Sequence, residues 1–377
     1  MKTKMLVFKN GERFPILLGT EGVPLFFPTV YETTMRRQVN LASATLSADL
    51  SAIKFLYSWA AQKNIDIEKR FHQGECLTVS EIENLTKAFK YRSDHYDKDE
   101  DIFSVDQKLS KKPLKVRSLE AFRKVEYRKT ISGVVTETTA RRLYVICSYL
   151  DWLAQVRTSW VSMSSKEYEA FRIARTTMKE NIEARIPEVK RDESKKREGL
   201  SKKNQDLLLE VIDPTSPRNP WHDWFVRLRN QLFIKLFIEL GPRRGEILLV
   251  RIGRDFNASA NKLAITRVPD DKDDPRRDEP NAKTLEREYP LSDDLAKLLN
   301  DYITEVRNTI KGAHRHDYLF VAARTGRPMS KSAVTKLFRE LREKVPELPK
   351  DLTSHVLRHT MNDNFSEECD ESGIDEE

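Results

Sequence analysis

Cysteine is scarce in this chain. Cys76, Cys147 and Cys369 are the only three among 377 residues. No pair has the spacing of metal ligands, and three well-separated thiols do not make a disulfide framework, so the expected compartment is a reducing cytoplasm. No apolar run approaches the roughly 20 residues a membrane helix needs. The opening "MKTKMLVFKNGERFPILLG" is basic but lacks a long apolar stretch and a cleavage site, so no signal peptide is expected. Internal repeats and low-complexity tracts are also missing, which excludes solenoids and fibrous arrays.

Charge, by contrast, is plentiful. Lys and Arg total 66 against 59 acidic residues, a formal net charge of +7. Seven of the acids fall in the last thirteen residues, Phe365 to Glu377, which contain no Lys or Arg. Met1 to Asn364 therefore carry +14 (7 + 7). A basic body of that kind suits a polyanion, most simply nucleic acid. The plain alternative is a soluble protein with scattered surface lysines.

Helical patterning dominates. Two apolar runs, "MLVF" and "FPILL", flank the turn signal "KNGER" and suggest a small β element in residues 1–38. From 39 to 188 the pattern is helical. Leu50, Ile53, Leu56 and Tyr57 share one face, with Trp59 and Ala60 beside it. Leu143, Ile146, Cys147, Leu150 and Leu153 or Ala154 share another, and a further helix is expected over Ser165 to Ala184. "TVSEIENLTKAFKYR" suggests a shorter helix with Thr78 or Ser80 as cap. The basic stretch Ser93 to Arg128 has little periodicity and reads as a long loop.

Residues 189–199 are almost purely charged and read as an interdomain linker, either a solvated tether or a basic strap along phosphates. Lys195, Lys196 and Arg197, with Lys202 and Lys203 just beyond it, are the candidate phosphate contacts. Residues 200–377 hold an apolar helix with Leu228, Leu232, Phe233, Leu236, Phe237 and Leu240 inward. Gly241 is its stop and Pro242 suits the first turn of the next helix. Two short strands, "KLAITRV" and "REYPLS", surround a charged insertion, and helices are expected over Asp293 to Ile310, over Lys331 to Glu343, and from Thr353 or Ser354 onward. The fold class is mainly α with a small antiparallel sheet (α+β).

Three short stretches could carry chemistry. In "ELGPRRGEILLV" Arg243 follows a helix stop, where a guanidinium can fork two oxygens of one phosphate, with Glu246 three residues on to hold it. An exposed Arg–Glu pair at a helix start is the commonplace alternative. In "NAKTLEREYPL" Lys283 precedes a strand, where it can reach into a groove or donate a proton; most such lysines are merely solvated. In "TSHVLRHT" His355 and Arg358 share a helix face and His359 lies close to it, an anion clamp or else core histidines bonded to backbone. The acids Asp270, Asp271, Asp273 and Asp274 of "PDDKDDP" diverge on a loop and read as a solvated insertion, not a two-metal site. His314 and His316 lack further ligands, so no metal is implied.

In this order and context the three stretches resemble the tyrosine recombinases, the phage-integrase family of site-specific DNA recombinases. The resemblance covers roughly Leu200 to Ser366, and more weakly Thr45 to Ala184, which looks like the family's helical, SAM-like core-binding domain. The opening "FKNGERFPILL" is similar to integrases of mobile elements with an N-terminal extension. The resemblance implies a clamp of two domains around duplex DNA. It implies Arg243 and Arg358 as the arginines gripping the scissile phosphate, Lys283 as the proton donor to the leaving 5′ oxygen, and His355 as an aid to proton transfer. Glu246 would back the first arginine, and His359 would pack and orient. It implies no metal and no cofactor, a homo-oligomer on DNA when full length, and a nucleoid-associated place in the cytoplasm.

The pattern then breaks. The family's Gly-His or Gly-Trp box and its nucleophilic tyrosine do not follow Arg358; the last tyrosine is Tyr318. Truncation is the favoured explanation. A nucleophile donated by another chain, or a non-catalytic DNA-binding regulator on the same fold, are the alternatives, with a related topoisomerase as a weaker option. As given, the chain is expected to bind DNA without cleaving it.

Overall fold

A computed structural model describes residues 1–39, 41–91, 134–160, 164–189, 198–280, 282 and 285–372. The chain divides into two compact units. One comprises Met1–Leu6 and Phe14–Arg191, the other Val7–Arg13 and Asp192–Glu377. The basic stretch expected as a loop lies wholly outside the described residues.

Strands β1 (Lys2–Val7) and β2 (Arg13–Leu18), which belong to the first unit apart from Val7 and Arg13, pair in a two-stranded sheet. Helix α1 (Phe26–Tyr31) follows, continued by a π turn over Glu32–Arg36 and a 3-10 turn over Arg37–Val39. Then come α2 (Ser43–Gln62), α3 (Ile67–Gln73), α4 (Val79–Phe89), α5 (Thr136–Trp160) and α6 (Ser165–Glu183). The apolar faces expected from the sequence meet in one core. Leu50, Ile53, Leu56 and Trp59 of α2 pack with Leu143, Ile146, Cys147 and Leu150 of α5. Buried polar tips find partners, as burial requires: Trp59 Nε1 donates to Asn84 Oδ1 at 2.9 Å, and the Tyr57 and Tyr149 hydroxyls lie 2.7 Å apart. Of the two candidate caps for α4, Thr78 is the one used, in a reciprocal capping box with Glu81.

The second unit holds α7 (Lys202–Ile212), α8 (Trp224–Leu240) and the one-turn helix α9 (Arg244–Ile247). Strands β3 (Phe256–Asn257), β4 (Lys262–Ile265) and β5 (Arg287–Pro290) form an antiparallel sheet in that order, with Leu263 opposite Tyr289 and Ile265 opposite Arg287. Helices α10 (Asp293–Asp301), α11 (Lys331–Lys344) and α12 (Ser354–Ser372) complete it. The α8 face is buried as expected except for Leu228, which is half-buried. Val356 and Leu357 of α12 join the same core.

Two expectations are corrected. The helix from Asp293 does not run evenly to Ile310: it passes into a π turn at Tyr302–Val306 and a 3-10 turn at Arg307–Thr309. There the buried Arg307 guanidinium donates to the carbonyls of Ala313, His316 and Tyr318, tying this stretch to the next connection. And the acidic insertion is solvated only in part: Asp270 and Asp273 are exposed as expected. Asp271 and Asp274 are buried, because each caps a turn amide and meets an arginine: Arg251 for Asp271, and Arg276 at 2.8 Å for Asp274. Among the described residues no helix is long and apolar enough to cross a membrane.

Candidate functional site

The site grows from the corner where α8 ends. Gly241 terminates the helix with φ +56°, a conformation glycine adopts without a Cβ penalty. A Cβ there would also sit 3.1 Å from the Met361 sulfur of α12. Pro242 does not open the next helix, as its fixed φ had suggested; it precedes the N-cap, which is Arg243 in extended conformation.

Arg243 is held by Glu246, one turn on. Its backbone N–H donates to Glu246 Oε2 at 2.8 Å and its Nη1 to Oε1 at 3.4 Å. The Arg243 side chain remains 41% exposed while the Glu246 carboxylate is fully buried. A second arginine shares that carboxylate: Arg287 Nη2 donates to Glu246 Oε2 at 2.7 Å. Arg287 is itself oriented, with Nε donating to the Tyr289 hydroxyl at 2.7 Å and the guanidinium 5.1 Å above the Tyr289 ring. Sequence reading missed Arg287. Its signal was the alternation in "REYPL", which puts Arg287 and Tyr289 on the same strand face.

Arg358 reaches the same corner from α12. Its Nη1 donates to the carbonyl oxygen of Gly241, two residues before Arg243. That carbonyl belongs to the last turn of α8, where unsatisfied acceptors favour a cation. His355 is exposed and His359 half-buried, with ring centroids 4.6 Å apart. Two guanidiniums from chain positions 115 residues apart thus converge on one helix end, with a buried carboxylate behind one of them.

The remaining sequence candidates distribute unevenly. Lys283 lies outside the described residues, although Ala282 before it is buried against Leu249 and Tyr318. Lys195, Lys196 and Arg197 also lie outside them. Lys202 is exposed and forms an ion pair with Glu367 at 3.1 Å; Lys203 is exposed. His316 accepts the Tyr318 amide on Nδ1 and places Nε2 2.7 Å from the Gly326 carbonyl, and burial pushes its pKa below the ordinary histidine value. Among the described residues no group of His, Cys, Asp or Glu could hold a metal. Tyr302 and Tyr318 are buried; the Tyr318 hydroxyl donates to Asp271 and accepts from Arg251, and burial raises its pKa above the ordinary phenol value.

The model of the phage integrase family matches residues 224–375. No curated protein matches the chain. Among solved structures, a XerA recombinase is 14% identical, covers 91% of this chain and 84% of its own, and superposes with a TM-score of 0.35. A pre-cleavage complex of the XerH site-specific recombinase with its difH substrate is 19% identical, with coverage of 78% and 76% and a TM-score of 0.36.

Proposed function

We propose that this chain, whose residues 224–375 match the phage integrase family model, is a site-specific recombinase that binds duplex DNA and grips one scissile phosphate between Arg243 and Arg358. The observation that carries the reading is the contact of Arg358 with the Gly241 carbonyl, two residues from Arg243. Attack on a phosphodiester adds negative charge to its non-bridging oxygens. Two arginines fixed beforehand stabilise that charge without reorganising, and each can fork two oxygens. Glu246 and Arg287 keep Arg243 aimed, because a buried carboxylate between two cations has little freedom to leave.

In this reading Lys283 protonates the leaving 5′ oxygen, a contribution of roughly 10² to 10⁴ in rate. His355, exposed one turn before Arg358 on α12, assists that transfer, and His359 orients it. Lys195, Lys196, Arg197, Lys202 and Lys203 contact the DNA backbone. The reaction class is strand transfer through a 3′-phosphotyrosyl bond in a mobile-element integrase acting as a homo-oligomer on DNA in the cytoplasm. No tyrosine follows Tyr318 in these 377 residues, so they bind DNA but form no covalent bond to it.

The test is binding to duplex DNA across a salt series together with incubation on nicked suicide substrates. Expected are an affinity that falls steeply with salt and no covalent adduct. Failure to bind at about 50 mM salt would sink the proposal. A second reading is a non-catalytic DNA-binding regulator on the same fold. Selection of bound DNA from random fragments, followed by footprinting, separates the two. Inverted half-sites around a short spacer fit strand exchange, and a lone operator-like site fits regulation.

A further inference from the structure

An arginine from the beginning of the chain is sealed inside the second unit. The Arg13 side chain is wholly buried. Its Nη1 donates to the carbonyls of Gly11 and Asp271, the latter at 2.8 Å, and its Nη2 to those of Asp274 at 2.6 Å and Arg276 at 3.3 Å. Glu279 Oε2 lies 3.3 Å from Nη1. One planar guanidinium thus meets four carbonyls, three of them in the loop Asp270–Glu279, more acceptors than the three donors of an ammonium can satisfy.

The turn bearing Arg13 is shaped to the same loop. Gly11 has φ +92°, and a Cβ there would overlap the Asp270 carbonyl oxygen and come within 2.7 Å of the Lys272 nitrogen. The loop is pinned from its other side as well. The Arg276 Nη1 donates to the carbonyls of Leu248 and Met329, each at 3.0 Å, and the Lys331 ammonium donates to the Glu279 carbonyl at 3.0 Å. Its end runs into Ala282, buried against Leu249 and Tyr318 immediately before position 283.

We propose that Arg13 is a positioning residue: the N-terminal turn Val7–Arg13 is a built-in part of the second unit and fixes the loop Asp270–Glu279, which leads toward the buried Ala282, the residue before Lys283 in sequence. The proposal rests on the recombinase reading only for the role of Lys283; the dependence of the loop on Arg13 stands apart from it.

The full 377-residue chain is compared as wild type, Arg13→Ala and Arg13→Lys. Hydrogen exchange is followed by mass spectrometry, as is acylation of Lys283 with and without duplex DNA. In Arg13→Ala, exchange across residues 268–280 is expected to speed up at least tenfold, with α2 and α5 unchanged. Guanidinium chloride at about 20 mM is expected to slow it again, whereas sodium chloride at the same concentration does not. Arg13→Lys keeps the charge beside Glu279 but loses the fork, so an intermediate rate is expected.

Unchanged loop exchange in Arg13→Ala overturns the proposal. So does a uniform rise throughout the molecule in both variants that guanidinium does not reverse. Protection of Lys283 by DNA in the wild type, lost in Arg13→Ala and regained with guanidinium, supports the link to the site. If DNA fails to protect Lys283 in the wild type, the assignment of Lys283 fails while the exchange result still decides the role of Arg13.

Discussion

The Arg358 guanidinium donates to the carbonyl oxygen of Gly241, so the late helix α12 and the end of α8 are joined two residues from Arg243. The contact fixes one end of the side chain against a helix terminus. It also leaves the other donors of the fork available to a ligand, since a guanidinium carries five. Truncating Arg358→Ala is expected to weaken duplex binding by roughly tenfold, uniformly across sequences, and to lower the salt slope by about one. Fluorescence anisotropy at several salt concentrations checks both numbers. A loss confined to one DNA sequence would point to base reading instead.

Glu246 is buried between Arg243 and Arg287. Removing one partner of a buried ion pair leaves the other charge uncompensated. Glu246→Ala is expected to destabilise the second unit by about 3 to 5 kcal/mol, measured from the urea midpoint. The double change Glu246→Ala with Arg287→Met is expected to recover part of that loss, because the stranded cation is gone as well.

Glu32 sits buried in the π turn after α1, and neither carboxylate oxygen has a hydrogen-bond partner among the described residues. Burial, reinforced by the nearby Asp49 carboxylate, pushes its pKa up to about 8 against the Arg36 charge that opposes the shift. The folded state therefore favours the protonated acid. Its stabilising contribution is full below the unfolded pKa near 4.5 and is lost as pH rises through about 8. At most about 4 to 5 kcal/mol is at stake. Glu32→Gln is expected to flatten the fall in urea midpoint between pH 5 and pH 8.5. A wild-type midpoint that rises over that interval would contradict the assignment.

Gly199 approaches α12 so closely that a Cβ would lie 2.6 Å from the Thr360 Cα and overlap the Asp363 carboxylate. Its N–H donates to Asp363 at 2.8 Å, and the next amide, Leu200, donates to the Thr360 hydroxyl at 2.8 Å. Gly199→Ala is expected to cost about 1 to 3 kcal/mol of stability through overpacking, read by thermal denaturation, while an exposed change such as Lys203→Ala leaves the midpoint unmoved.

Local chemistry made much of the fold legible before any coordinates. Thr78 and Gly241 announce helix ends because their side chain, or lack of one, acts within a few residues. The periodic faces of α2, α5 and α8 announce the cores for the same reason. What sequence hid depends on distant partners. The "PDDKDDP" run looks solvated until Arg251, Tyr318 and Arg13 enter, the last of them 258 residues from Asp271. Arg287 looked like one charge among many because Glu246, its partner, lies 41 residues away. Arg243, Glu246 and Arg358 were readable as motifs, but their approach to one another at the end of α8 was not.

The burial of Arg13 has a consequence for how the protein is made. Its turn leaves the ribosome some 258 residues before the Asp271 carbonyl that receives it. At about 5 to 20 residues per second, the arginine waits roughly 13 to 50 s for its acceptor. During that interval a charged side chain destined for a dry interior remains solvated, so the second unit closes around one of the chain's earliest residues only after the loop at Asp271 has been made.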